Sequence, residues 1–162
     1  MNLTFRSGSN EDLPQIMELI QRAIRHMEEQ GIMQWDDLYP MKEDFALDIK
    51  EGQLFVGMRD ETIVVVYTMN HQCDEEYKNG RWKEPEKSFA VIHRLCVDPV
   101  VQHAGIAWQT MHHIEETAKR RGIQAIRLDS PAARKLYQKC GYQEVGTAQW
   151  RKGKFYLMEK YL

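Results

Sequence analysis

The residues from His93 to Arg121 carry the densest chemical signal in the chain. HRLCV reads as a buried strand, DPVV as a turn, and QHAGIA as the opening of an amphipathic helix. There the backbone N–H groups of Gln102, His103, Ala104, Gly105, Ile106 and Ala107 converge with the positive end of the helix dipole. Such a junction can cradle a pyrophosphate without a lysine or a metal. Gly105 lets the backbone approach an anion closely, and Ala107 keeps the first turn slim.

His93 and Cys96 stand three apart on the strand, which places them on opposite faces and excludes a Cys–His nucleophile pair. By the same alternation His93 shares a face with Leu95 and Val97. It could relay a proton there, or serve equally as a hydrogen-bonded structural histidine. Three cysteines (Cys73, Cys96 and Cys140) are an odd number without metal-ligand spacing, and read as reduced thiols. His71 and Cys73 are followed by no second ligand pair, so no metal is expected.

These residues need a scaffold, and 162 residues suffice for a single domain spanning 1–162. A net charge of −2 offers no basic face to nucleic acid. No apolar run reaches membrane-spanning length and no signal-peptide layout opens the chain, so a cytoplasmic protein is expected. Leu3 to Arg6 reads as a first strand. Ser9 or Asn10 can cap a helix with Pro14 in its first turn, an apolar face from Leu13 to Met27, and Gly31 at its end. A second short helix is expected from Met41 to Glu51, with Phe45 and Ile49 on its buried side.

LFVGMR and TIVVVYTM predict a hairpin turning at Asp60-Glu61, and Cys73 to Lys87 a long polar loop. After the strand from Ser88 to Val97, Ala107, Met111, Ile114 and Ala118 make the core stripe of the next helix. Ala125 to Asp129 predicts a further strand. Ser130, Pro131 and Gly141 are expected at the cap, first turn and stop of a short helix. Tyr142–Trp150 and Lys154–Leu162 close the chain as a hairpin. The order is that of one α/β domain with a mixed sheet.

This order, with QHAGIA and LYQKCGY, resembles the GCN5-related N-acetyltransferase (GNAT) superfamily over essentially the whole chain. Its signature, Gln/Arg-x-x-Gly-x-Gly/Ala, is met by Gln102, Gly105 and Ala107. The resemblance implies a GNAT-like fold: a mostly antiparallel, mixed, twisted sheet of six to seven strands, flanked by about four helices. It also implies binding of acetyl-CoA where two central strands splay apart. The pantetheine would run along Leu95, Cys96 and Val97 as an added strand, and the pyrophosphate would sit on the amides of His103 to Ala107. A backbone N–H near Leu95 or Cys96 would polarise the acetyl carbonyl, which a neutral amine attacks directly.

By the same resemblance, Tyr137 matches the tyrosine that protonates the departing thiolate, a task suited to a phenol. A helix aromatic packed on the sheet is the plain alternative. The glutamate that some relatives carry before the signature is replaced by Val91. His93 is then the candidate base; Glu75, Glu76, Glu84 and Glu86 lie in the polar loop and could reach the cleft, though their default reading is solvated charge. Trp35, Tyr39, Tyr77 and Trp82 fall in the segments that flank the substrate side in relatives. They could wall an amine pocket or simply anchor their loops.

Two departures stand out. His103 and Ala104 replace the glycine and basic residue frequent in the phosphate loop, which lowers the expected affinity for CoA. Only Ser130 and Pro131 separate the strand IRLD from the helix AARKLY, where relatives have several more residues. Either this is a genuine deletion, which could shift Tyr137, or residues of a mobile loop are missing from the sequence. The intact LY-x-x-x-Gly-Tyr register favours the latter, and an intact mass above 19.2 kDa would establish it.

The expected activity is acetyl transfer from acetyl-CoA to a primary amine of a small molecule, in a ternary complex. The rival is a non-catalytic acyl-CoA-binding or sensor module. A homodimer could form through Tyr156, Met158 and Tyr161 on the last strand.

Overall fold

In the computed structural model, residues 3–36, 38–101, 105–131, 134–150 and 153–162 are described, Arg134 by its backbone only. Seven strands form one mixed sheet in the order β1-β2-β3-β4-β5-β7-β6. The strands are β1 (Leu3–Ser7), β2 (Leu54–Arg59), β3 (Thr62–Asn70), β4 (Phe89–Val97), β5 (Ala125–Ser130), β6 (Gln143–Trp150) and β7 (Gly153–Tyr161). The helices are α1 (Leu13–Glu29), α2 (Lys42–Lys50), α3 (Ile106–Arg120) and α4 (Arg134–Lys139). The chain divides into two compact units, one of Met1–Met69 with His93–Thr110, the other of Asn70–Ile92 with Met111–Leu162.

In the first unit β1, β2 and β3 pair antiparallel, and the β2–β3 register shifts between Gly57 and Met58. Adding a Cβ to Gly57 would bring it to 2.8 Å from the Phe5 ring and 2.9 Å from Val65 Cβ, so only glycine fits there. The apolar face of α1 behaves as its spacing requires: Ile16, Leu19 and Ile20 are fully buried with Phe45, Val56, Val66 and Cys96. A 3₁₀ turn at Asn10–Asp12 precedes α1, and Asp12 binds both the Ser9 amide and the Arg6 guanidinium. The amide of Met41 donates to Asp44 at the start of α2.

In the second unit β4 and β5 pair parallel from Phe89↔Ala125 to Val91↔Arg127, and β5–β7 and β6–β7 are antiparallel. Met111, Ile114 and Ala118 form the buried stripe of α3. The polar loop contains a 3₁₀ turn at Glu75–Asn79, which sinks Tyr77 beside Val91, Ala148 and Leu157.

Three expectations need correction. Ser130 is the last residue of β5, paired with Tyr156, rather than a helix cap, and Pro131 lies in a bend rather than in a helical turn. Cross-strand pairing outweighs the local capping preference of serine. Met158 offers nothing to a dimer interface, because β7 is an interior strand and the side chain is fully buried. The alternation that put His93 on one face with Leu95 and Val97, and Cys96 on the other, breaks at Arg94, whose φ of 50° inserts an irregularity into β4. Residues 132 and 133 of the short turn before α4 lie outside the described residues.

Candidate functional site

The C-terminal end of β4 separates its neighbours onto two sides. Leu95 and Val97 pack with Val64, Val65 and Ile106, while Cys96 joins the core formed with α1 and α2. The Cys96 thiol is buried and its pKa is pushed up to about 12, chiefly by desolvation. It is therefore a packing residue rather than a nucleophile. His93 is half-buried on the same strand.

Past β4 the chain is steered by Asp98. Its amide donates to the Val64 carbonyl, its carboxylate accepts from the Val100 amide at 3.1 Å, and its carbonyl accepts from Val101. Arg22 of α1 reaches across to the same carboxylate at 2.8 Å. This tied turn delivers the chain into Gln102, His103 and Ala104, which lie outside the described residues. Gly105 follows with φ of 72°, a conformation that suits glycine. A Cβ there would meet nothing within 4 Å among the described residues.

Helix α3 opens at once, with Gln109 donating to the Gly105 carbonyl and the Thr110 hydroxyl to the Ile106 carbonyl. The N–H groups of its first turn precede any intrahelical acceptor and can bind an anion. Ile106 anchors this turn in the core, and Ala107 is half-buried.

In the second unit Tyr137 of α4 is buried, its ring edge-on to Tyr142 at 6.0 Å between centroids. Burial, then the charge of Asp129, then Cys140 push its phenol above the usual tyrosine range, so it is protonated at neutral pH. Its helix is pinned at the C-terminal end. Lys160 donates to the Cys140 carbonyl at 2.7 Å and to Glu115 at 2.8 Å, and Tyr142 donates to the other Glu115 oxygen at 3.1 Å.

The four aromatics fare differently. Trp35 is buried in the core with α1 and α2, where it anchors its segment. Tyr39 is partly exposed, and its phenol oxygen accepts from Arg94 at 2.8 Å. Tyr77 is buried and donates to Asp129, and Trp82 stacks on it while donating to its carbonyl. Val91 is fully buried. No group of three or more His, Cys, Asp or Glu side chains among the described residues could hold a metal ion.

Residues 50–144 match the family described as the acetyltransferase (GNAT) domain. The chain belongs to the GNAT acetyltransferase family. Its sheet and helices are those of the GNAT fold. Over 99% of this chain and 95% of the other, it superposes with a TM-score of 0.87 on a GNAT-family acetyltransferase from Streptococcus agalactiae, at 24% identity. The PaiA N-acetyltransferase from Thermoplasma acidophilum, crystallised with coenzyme A, matches at a TM-score of 0.73 and 18% identity over 100% of both chains. An uncharacterized N-acetyltransferase of Schizosaccharomyces pombe is 34% identical over 67 residues, which is 41% of this chain and 28% of that relative. The matched region thus spans under a third of that relative's length. No described helix of this GNAT domain is long and apolar enough to cross a membrane.

Reasoning from sequence alone missed Asp98, Arg22, Arg94, Asp48 and Asp129. The usable signal was a charge set among apolar strand residues: Arg94 in FAVIHRLCV, and Asp129 beside Arg127 in AIRLDS. A charge buried in that setting needs a partner.

Proposed function

We propose that this GNAT domain, acting as one domain over residues 1–162, transfers an acetyl group from acetyl-CoA to the primary amine of a small molecule. The observation that carries the reading is the left-handed Gly105 at the mouth of α3, reached from β4 through the turn tied by Asp98. The pantetheine binds along the main chain of Leu95, Cys96 and Val97. The pyrophosphate takes the amides from His103 to Ala107, with Gln102 opening the loop.

A backbone N–H at Leu95 or Cys96 polarises the acetyl carbonyl, and the amine attacks it directly. The new amide bond forms as the C–S bond breaks, and Tyr137 gives its proton to the leaving thiolate. What supports Tyr137 is a buried phenol held protonated. His93 is the candidate to take the ammonium proton, now without the support of strand alternation. Of the four aromatics Tyr39 is the one left to face an amine, since Trp35 and Tyr77 are buried and the Trp82 ring stacks on Tyr77 and carries the Arg127 guanidinium 4.3 Å from its centroid. The chain's net charge of −2 favours a cationic or neutral acceptor. A cytoplasmic setting goes with this reading.

Calorimetric titration of the purified protein with acetyl-CoA and CoA tests it. Micromolar binding, followed by thiol release on adding amines, is the expected result. No binding up to millimolar concentration overturns it. The fully buried Val91 favours one second reading, a non-catalytic acyl-CoA sensor, because no carboxylate stands there to serve as base. Tight binding with no turnover over a broad amine panel would select that reading.

A further inference from the structure

Two non-glycine residues among those described have a left-handed backbone, Asp60 at φ 58° and Arg94 at φ 50°. Asp60 sits in the tight β2–β3 turn, where that conformation is ordinary. Arg94 sits inside a strand. Backbone strain in a strand persists only where the surroundings over-determine it.

Those surroundings are specific. Arg94 grips Asp48 of α2 with two parallel hydrogen bonds, Nε to Oδ2 at 2.8 Å and Nη2 to Oδ1 at 2.7 Å. The two side chains are only 14% and 7% exposed, so the pair works where water screens it little. Thr68 of β3 donates to the same Asp48 carboxylate at 2.7 Å. The remaining guanidinium nitrogen donates to Tyr39, at the end of the segment that joins α1 to α2. One side chain in the irregularity of β4 is therefore tied directly to α2 and to the α1–α2 segment, and through Asp48 to Thr68 of the neighbouring strand.

We propose that the Asp48–Arg94 pair is a positioning device for acetyl transfer. It holds the peptide between Arg94 and Leu95 turned out of regular strand geometry, so that the Leu95 N–H is aimed at the acetyl carbonyl. This rests on the acetyl-transfer reading given above. Arg94 is a positioning residue and does not itself touch the reacting atoms. Thr68 sets the carboxylate that sets the guanidinium, and the guanidinium sets the strand.

Three variants test it. Arg94→Gly removes the tether while glycine tolerates the left-handed backbone. Asp48→Asn/Arg94→Gly also removes the unpaired buried carboxylate that would destabilise the single variant, and leaves an amide oxygen for Thr68. Arg94→Lys keeps the charge but loses the fork. All are assayed by thiol release below their unfolding temperatures. The double variant should lose kcat by about 100-fold, with KM for acetyl-CoA held within about threefold, as expected when a donor to the reacting carbonyl is misaimed. Arg94→Lys should fall between it and the wild type.

A double variant that keeps wild-type kcat, or loses activity through KM alone, overturns the device and shows a brace that is only structural. A wild-type protein without turnover on any amine overturns the acetyl-transfer reading and this proposal with it. An active wild type beside an equally active double variant overturns the proposal alone.

Discussion

The Tyr77 phenol donates to Asp129 Oδ2 across 2.7 Å, joining the polar loop to the C-terminal end of β5. Desolvation raises the Asp129 carboxyl to about 6, the tyrosine hydrogen bond opposes that rise, and Asp74 adds to it. The folded state therefore binds a proton at Asp129 more tightly than the unfolded chain does. Its contribution to stability is complete below about pH 4, the ordinary range of a free aspartate, and is lost as pH rises through about 6.

Asp129→Asn removes that dependence. The difference in unfolding free energy between wild type and Asp129→Asn should shift against the wild type between pH 4 and pH 7, by on the order of 2 kcal/mol. Urea unfolding at several pH values measures it. Because Tyr77 lowers the pKa, Tyr77→Phe should raise it further, visible as an upward shift of the Asp129 carboxyl titration by NMR. A downward shift would mean that the hydrogen bond does not favour the charged carboxylate.

The Arg22–Asp98 pair predicts coupled loss of stability and ligand affinity. Asp98→Ala removes the acceptor for the Val100 amide and leaves Arg22 without this partner. Hydrogen bonds to charged groups are worth about 1.5–3 kcal/mol, so a stability loss of about 2 kcal/mol is expected. Since the turn leads into the signature loop, calorimetry should show weaker acetyl-CoA binding in the folded variant. Unchanged affinity would show that Asp98 stabilises the turn without setting the loop.

Much of the architecture was legible because its signals are local. The apolar spacing of α1, the β-branched run of β3 and the hairpin turn at Asp60-Glu61 each fix an element from neighbouring residues. The irregularity at Arg94 was not legible, because an aspartate on α2 and a threonine on β3 hold it, and alternation carries no trace of either. Ser130 was misplaced for a similar reason: its partner Tyr156 lies on β7, and local capping preference knows nothing of that pairing. At the site, the strand–turn–Gly105–helix layout could be read directly. The partners of its charged groups, far off in sequence, could not.

Gly105 gives a backbone test. Its φ of 72° is one that an alanine adopts only at a cost of roughly 1–2 kcal/mol. A methyl group there meets no described residue within 4 Å, so the backbone angle is what the substitution tests. Gly105→Ala should therefore destabilise the start of α3 modestly and weaken CoA binding by calorimetry, while a D-alanine introduced by chemical synthesis should restore both. Failure of D-alanine to restore binding would show that the ligand needs the missing side chain and not the backbone angle.

Tyr137 supplies the sharpest test of the chemistry. Its phenol is held protonated by burial and by Asp129, so it can donate a proton over a wider alkaline range than a free tyrosine. Tyr137→Phe keeps the ring and its edge-on packing against Tyr142, so folding and CoA affinity should persist. If the phenol protonates the leaving thiolate, kcat should fall roughly 100-fold, the middle of the range for general acid catalysis, with KM for acetyl-CoA little changed. The loss should shrink when the acetyl donor is a thioester of a more acidic thiol, because such a leaving group needs less protonation. A full loss that is indifferent to the leaving group would assign Tyr137 to packing and return the question of the acid to the other groups of α4 and β5.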